Sequence, residues 1–258
     1  MCHCLFQHST SVEAELRAAG KISVFLDYDG TLVPFVQNPA KAQLDEQTRE
    51  TLARISRKRL VAVTIISGRS VSDIHARVGL EGLTYAGNHG LEICGNGFNF
   101  IEPTAGAARQ QLAQLSRKLA AVLRDIDGTV VEYKGLTTTI HYRQAATREI
   151  GRVESAVQAE VAAANLFRTA PSKMAIEVVP RTGWHKGKAA IWINERLGGK
   201  PLSVYLGDDE TDEDAFRALP DGITARVGSC PATSARYRVA DADAVHEFLT
   251  WLVDHVPA

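Results

Sequence analysis

Apolar and polar positions follow two different rhythms along this chain. Ile22-Ser23-Val24-Phe25-Leu26 is a short apolar run rich in strand formers, which predicts a buried strand. Residues 9–20 predict a helix before it. Leu44 to Lys58 has apolar residues at Leu44, Leu52 and Ile55 with charges between them. That spacing predicts an amphipathic helix capped near Asp45. Leu60 to Ile66 is a second buried strand, Val71, Ile74 and Val78 mark a second helix, and Leu83 to Ala86 is a third strand. Leu91 to Ile101 predicts a hairpin turning at Gly95-Asn96-Gly97. Strand and helix in alternation predict an α/β fold, with a parallel sheet and crossover helices.

The rhythm changes after Pro103-Thr104-Ala105-Gly106. Ala107 to Arg124 is a helix with Leu112, Leu115, Leu119, Val122 and Leu123 on one face. Val130 to Tyr133 and Thr137 to Tyr142 are strands across a Lys134-Gly135 turn. A helix over Thr147 to Ala163 and strands over Phe167 to Ala170 and Met174 to Val178 complete an antiparallel α+β module. Alternation then resumes. Lys186 to Leu197 is a helix, Leu202 to Leu206 a strand, Asp212 to Ala218 a helix, Ile223 to Val227 a strand and Ala242 to Val253 a closing helix. The expected organisation is a discontinuous Rossmann-like core, residues 1–103 and 182–258, with an α+β insertion at 104–181.

Composition narrows the function classes. Of 258 residues, 45% are apolar and 23% charged, ordinary values for a globular protein. A net charge of −1 gives no basic footprint for nucleic acid or an anionic membrane. The apolar runs are too short to span a bilayer, and Met1 to Phe6 lacks the pattern of a signal peptide, so a cytoplasmic location is expected. Cys2, Cys4, Cys94 and Cys230 are scattered. Cys2-His3-Cys4 is too tightly spaced for a zinc knuckle and is expected to be a mobile terminus; Cys94 and Cys230 are expected to be reduced structural thiols.

Polar and charged groups gather where the predicted strands end. Asp27-Tyr28-Asp29-Gly30 follows the first strand, Ser67-Gly68-Arg69 the second, Gly87-Asn88-His89-Gly90 the third and Gly207-Asp208-Asp209-Glu210-Thr211-Asp212 a fourth. Lys186 opens a helix. Taken alone, the first stretch also suits a solvated turn. In a parallel sheet, however, these ends share one edge, where ligands bind. Several acids on one edge repel one another, and a Mg²⁺ ion, which takes oxygen ligands, resolves this. The metal with Lys186 would neutralise a phosphoryl group. An aspartate can attack phosphorus, and a second can serve as general acid and base.

Asp27-Tyr28-Asp29-Gly30-Thr31-Leu32 resembles the first motif of haloacid-dehalogenase-like (HAD) phosphatases. Ser67-Gly68-Arg69 resembles their second motif, Lys186-Gly187 their third and Gly207-Asp208-Asp209 with Asp212 their fourth, in the same order. The insertion lies where that superfamily carries its larger α/β cap. Within it the chain is similar to trehalose-6-phosphate phosphatases, through Asp27 to Leu32 and Pro34, Gly207 to Phe216, Asn88-His89-Gly90, His141-Tyr142-Arg143, and Lys173 with Glu177. Val178-Val179 before Pro180, and Asn88 before His89, depart from the family's usual pattern.

The resemblance implies roles. Asp27 would be the nucleophile and Asp29 the general acid and base, with its carbonyl on Mg²⁺. Ser67 and Lys186 would hold the phosphoryl group. Asp27 and Asp208 would be metal groups, with Asp209 or Asp212 in direct or indirect contact with the ion. Arg69 would bind substrate or anchor its loop through a salt bridge. Asn88 and His89 would position substrate or make structural hydrogen bonds. Arg143, Lys173 and Glu177 would contact glucose hydroxyls, His141 less securely placed among them. Asp214 fits a helix start, Lys188 a solvated face and Trp184 core packing. Closure of the inserted cap would exclude water. The partner implied is a small sugar phosphate, with no nucleic acid and no membrane, and the protein is expected to be a monomer. Trehalose 6-phosphate is the leading substrate. Sucrose, mannosylglycerate and glucosylglycerol phosphates, a phosphomutase reaction, and a catalytically silent regulatory domain are the alternatives.

Overall fold

The computed structural model describes residues 3–36, 41–172, 174–229 and 232–256. Cys2, Lys173 and Cys230 lie outside them. The chain divides into two compact units: Met1–Phe100 with Trp184–Ala258, and Ile101–Gly183. The insertion limits read from the sequence were 104 and 181.

In chain order the elements of the larger unit begin with β1 (His3–Cys4), α1 (Ser9–Ala18), β2 (Ile22–Leu26), α2 (Glu46–Ser56) and β3 (Val61–Ile66). They continue with α3 (Val71–Val78), β4 (Thr84–Gly87), β5 (Glu92–Gly95) and β6 (Phe98–Ile101). The inserted unit holds α4 (Pro103–Ala107), α5 (Arg109–Val122), β7 (Val130–Tyr133), β8 (Thr138–His141), α6 (Ile150–Ala164), β9 (Phe167–Ser172) and β10 (Ala175–Pro180). The larger unit then resumes with α7 (Lys186–Leu197), β11 (Leu202–Gly207), α8 (Glu210–Ala218), β12 (Ile223–Val227), β13 (Tyr237–Val239) and α9 (Ala242–His255).

The larger unit is built on a sheet of order β1-β13-β12-β11-β2-β3-β4-β5-β6. From β1 to β4 all pairs are parallel, and β5 turns back antiparallel on β4. Every residue of β2 is buried, because helices cover both faces. Val24, Leu26, Val63 and Ile65 pack with Leu52, Ile55, Phe248 and Leu249 in one apolar cluster. Phe25, Ile66 and Tyr205 pack with Ala189, Ile193 and Phe216 in another. Continuous apolar runs are what a parallel sheet covered on both sides requires. Asp45 caps α2 as expected, its carboxylate accepting from the Thr48 N–H at 2.8 Å.

One expectation is corrected. His3-Cys4 is not a free terminus: it pairs in parallel with β13, and the adjoining Leu5 is 1% exposed. Burial of that leucine ties the segment down, where its polar neighbours suggested nothing to hold it. The helix expected over Ala107 to Arg124 is α5, Arg109–Val122, and a separate short helix, α4, precedes it and meets it at Ala108. Glu102 caps α4 by accepting from the Ala105 N–H, so a helix starts earlier than the leucine pattern indicates. Cys4 and Cys94 are free thiols, and Cys94 is exposed.

The inserted unit is an antiparallel sheet of order β7-β8-β10-β9. Leu112, Leu115 and Leu119 of α5 and Val153, Val157 and Val161 of α6 pack with Ile140, Phe167, Ile176 and Val178. Their i, i+3/i+4 spacing puts each set on one helical face. Among the described residues, no helix is long and apolar enough to cross a membrane.

Candidate active site

The sheet register brings the motifs together. Leu26 pairs with Ile65 on one side and Leu206 on the other, so β2, β3 and β11 end at the same level. Asp27, Ser67 and Asp208 follow those ends, and Ile66 pairs with Ala86, just ahead of Asn88 and His89. The Asp27 N–H donates to the Leu206 carbonyl at 3.0 Å. Gly30 has φ +93°, and a Cβ there would collide with the Asp208 carboxylate. The turn after Asp29 therefore needs glycine for both its conformation and its clearance.

Lys186, at the start of α7, is 2% exposed and donates to Asp27 Oδ1 and Asp212 Oδ1, each at 2.8 Å. Gly187, beside it, lets α7 approach α8: a Cβ would strike the Asp214 carbonyl. Tyr205 donates its hydroxyl to Asp212 Oδ1 at 2.7 Å, and the Asp209 N–H donates to Asp212 Oδ2 at 2.9 Å. Asp209 itself is the N-cap of α8, with Asp212 three residues on completing a capping box. Carboxylate oxygens of Asp27, Asp208 and Asp212 lie within 4.8 Å of one another. Of the two candidates Asp209 and Asp212, the structure brings Asp212 into the acidic cluster, while the Asp209 carboxylate turns to the Glu210 N–H at the helix start.

Lys186 pairs with Asp27 and Asp212, and Asp208 completes the group of three carboxylates. Burial raises the Asp27 pKa well above the ordinary aspartate value; Lys186 opposes this, while Asp212 and Asp208 add to it. Burial pulls the Lys186 amine down, but Asp212 and Asp27 outweigh it and hold its pKa above the usual lysine value. Burial, with Asp212 and Asp27, pushes the Tyr205 hydroxyl well up, so it remains a donor. An oxygen-only set of three carboxylates fits one hard divalent cation such as Mg²⁺.

Asp29 faces a different partner. Arg69 Nε and Nη2 each donate to one of its oxygens at 2.7 Å, a two-pronged guanidinium–carboxylate pair. This salt bridge is the contact that the loop-anchoring reading of Arg69 expects. Ser67 is 1% exposed, and its Oγ accepts from the Arg69 N–H at 3.2 Å. Asn88 is fully buried and donates through Nδ2 to Glu92 at 2.7 Å. The backbones of Asn88 and His89 bond to Arg69 and Ser67, at φ values of 48° and 59°. Trp184 donates to the Gly90 carbonyl at 2.7 Å, and its ring lies tilted against that of Phe100 with centroids 5.0 Å apart, in keeping with core packing. Lys188 is exposed, and Asp214 accepts from Arg217 at 2.6 Å.

In the inserted unit, Glu177 is buried, 3.4 Å from Lys134 Nζ and 3.3 Å from the Thr139 hydroxyl. Arg143 is half-buried, and His141 Nε2 lies 2.8 Å from Glu132. Sequence reading missed Tyr205 and Lys134. Tyr205 sits within an apolar strand and Lys134 within a turn, so neither breaks the local pattern.

A parallel sheet with an acidic cluster and a buried lysine at its strand ends, interrupted by an α+β insertion, defines a HAD-like hydrolase fold. A family model described as trehalose-phosphatase matches residues 25–243. The chain belongs to that family. It is 33% identical over 258 aligned residues to a probable trehalose-phosphate phosphatase D of Arabidopsis thaliana, covering 93% of this chain and 69% of that protein. It is 40% identical over 204 residues to an uncharacterized glycosyl hydrolase of Mycobacterium tuberculosis, covering 76% of this chain but only 15% of that protein. A crystal structure of a trehalose-6-phosphate phosphatase related protein superposes with a TM-score of 0.81 at 25% identity, covering 90% of this chain and 97% of that one.

Proposed function

We propose that this chain is a Mg²⁺-dependent phosphatase that converts trehalose 6-phosphate to trehalose and phosphate. The observation that carries this reading is Asp27, held by Lys186 at 2.8 Å beside Asp208 and Asp212. An Asp27 oxygen attacks phosphorus, and the bond from phosphorus to the sugar oxygen breaks. Asp29 gives that oxygen its proton. Asp29 then takes a proton from water as the water attacks phosphorus, and the aspartyl-phosphate bond breaks to restore the Asp27 carboxylate. Lys186 and Ser67 hold the phosphoryl oxygens, and Asp212 with Tyr205 fixes the ammonium. Asp27, Asp208 and the Asp29 carbonyl would hold Mg²⁺, with Asp212 nearby, and the ion supplies positive charge for the nucleophile and the transferring group. The inserted unit supplies the sugar-recognising groups, Arg143, Lys173 and Glu177.

Phosphate release across a panel of sugar phosphates, with and without Mg²⁺, tests this. Trehalose 6-phosphate is expected to have the highest kcat/KM, with turnover lost to a chelator and restored by Mg²⁺. Comparable kcat/KM on an unrelated sugar phosphate would overturn the substrate, and free phosphate replaced by an isomeric sugar phosphate would overturn the reaction.

A further inference from the structure

Arg69, Asp73 and Arg77 stand four residues apart and form a chain of ion pairs that ends on Asp29. Arg69 Nη1 donates to Asp73 Oδ2 at 2.8 Å while its other two nitrogens hold Asp29. Arg77 Nε donates to both Asp73 oxygens, at 3.0 and 2.9 Å, and its Nη1 to the Ala42 carbonyl at 2.7 Å. The Tyr28 hydroxyl also donates to that carbonyl, at 3.3 Å, and the Arg69 guanidinium lies 5.6 Å from the centre of the Tyr28 ring. The line therefore starts on the backbone ahead of α2, crosses one face of α3 and returns to the residue beside Asp29. Arg69 is well buried, with a side chain 10% exposed, whereas Asp29 is 34% exposed. An exposed carboxylate has rotameric freedom that a guanidinium fork removes. Burial pulls the Arg69 pKa down, but Asp29 and Asp73 outweigh it and keep the guanidinium charged. Burial raises Asp73, and Arg77 with Arg69 outweighs it, so Asp73 stays ionised to lower pH than an ordinary aspartate.

Building on the phosphatase reading above, we propose that Asp73 and Arg77 are positioning residues for the general acid and base, acting on Asp29 through Arg69. An acid that gives up a proton must turn one oxygen to the leaving group. Arg69 grips both Asp29 oxygens, so one of those bonds must loosen for the transfer. Asp73 gives the guanidinium a second, independent anchor. Arg69 can then stay in place and keep hold of the remaining Asp29 oxygen while the other is in use. Arg77 holds Asp73 for that task.

The chemistry of the leaving group separates this role from a purely structural one. A sugar alkoxide needs a proton as it departs, whereas p-nitrophenolate departs without one. The parameter kcat/KM reports steps up to cleavage of the ester. Asp73→Ala is expected to lower kcat/KM on trehalose 6-phosphate by about tenfold or more, the scale of a misplaced catalytic group. On p-nitrophenyl phosphate it should stay within about twofold, the contrast expected when proton donation is what has been lost. Asp73→Asn, which keeps an acceptor for Arg69, should recover part of the loss. If Asp73→Ala does not fold by circular dichroism, Arg77→Gln tests the same line from its far end with the same contrast expected. An equal fall on both substrates, or no fall on either, would overturn the positioning role alone. A wild-type enzyme that ignores trehalose 6-phosphate would overturn the substrate reading, and the role built on it falls with it.

Discussion

Two lysine–carboxylate contacts, one in each unit, differ in burial and in length. In the larger unit Lys186 bridges Asp27 and Asp212 at 2.8 Å each, and Tyr205 and a backbone N–H complete the shell of Asp212. In the inserted unit Lys134 meets Glu177 at 3.4 Å, the outer edge of hydrogen bonding, with a threonine hydroxyl at 3.3 Å. The first arrangement sits on strand ends fixed by a parallel register. The second joins a turn residue to a strand. Phosphoryl transfer needs preorganised charge, which the first provides. The proposed sugar recognition calls for hydrogen-bonding groups, which the second contains.

Removing the charge of one member of each contact should expose that difference. Lys186→Met leaves Asp27 and Asp212 buried without their counter-charge, and an uncompensated buried charge costs about 3–5 kcal/mol. Denaturant unfolding should show that loss, and phosphate release should fall to background. A variant as stable as the parent would mean that the cluster is not held by charge. Glu177→Gln should leave stability nearly unchanged and raise KM for trehalose 6-phosphate about fivefold, the worth of a hydrogen bond of about 1 kcal/mol. Steady-state kinetics should show kcat little altered. A fall in kcat with KM unchanged would move Glu177 from recognition to the reaction itself.

The smallest effect is expected away from both clusters. Burial raises the Asp45 pKa, but its hydrogen bonds from Thr48 outweigh this and set it below the usual value. Asp45→Ala should cost about 1 kcal/mol, as loss of an N-cap does. Because the folded pKa is depressed, that increment is present above the unfolded aspartate value of about 4. It is lost as the pH falls through the lower folded value. Urea melts of parent and variant should therefore converge in acid. A constant gap would show that charge at the cap contributes nothing.

What the sequence revealed follows the same division. Asp27, Ser67 and Asp208 were legible because an apolar run ends abruptly at each, and a covered parallel sheet forces such runs. The choice between Asp209 and Asp212 was not. It depends on a helix start, although an acid at the cap with another three residues on is itself a capping signal. The strand Tyr237–Val239 escaped notice because three residues with an exposed arginine in the middle carry no pattern. Tyr205 was hidden by its fit to an apolar strand. Asp73 and Arg77 interrupt no apolar pattern, yet their four-residue spacing from Arg69 is visible in the sequence and predicts contact on one face.

The most direct test of the central claim is phosphate release from trehalose 6-phosphate by Asp27→Asn, measured beside the parent with Mg²⁺ present and the fold checked by circular dichroism. Asp27 as nucleophile predicts a folded variant with turnover at background. Substantial turnover by that variant would contradict it.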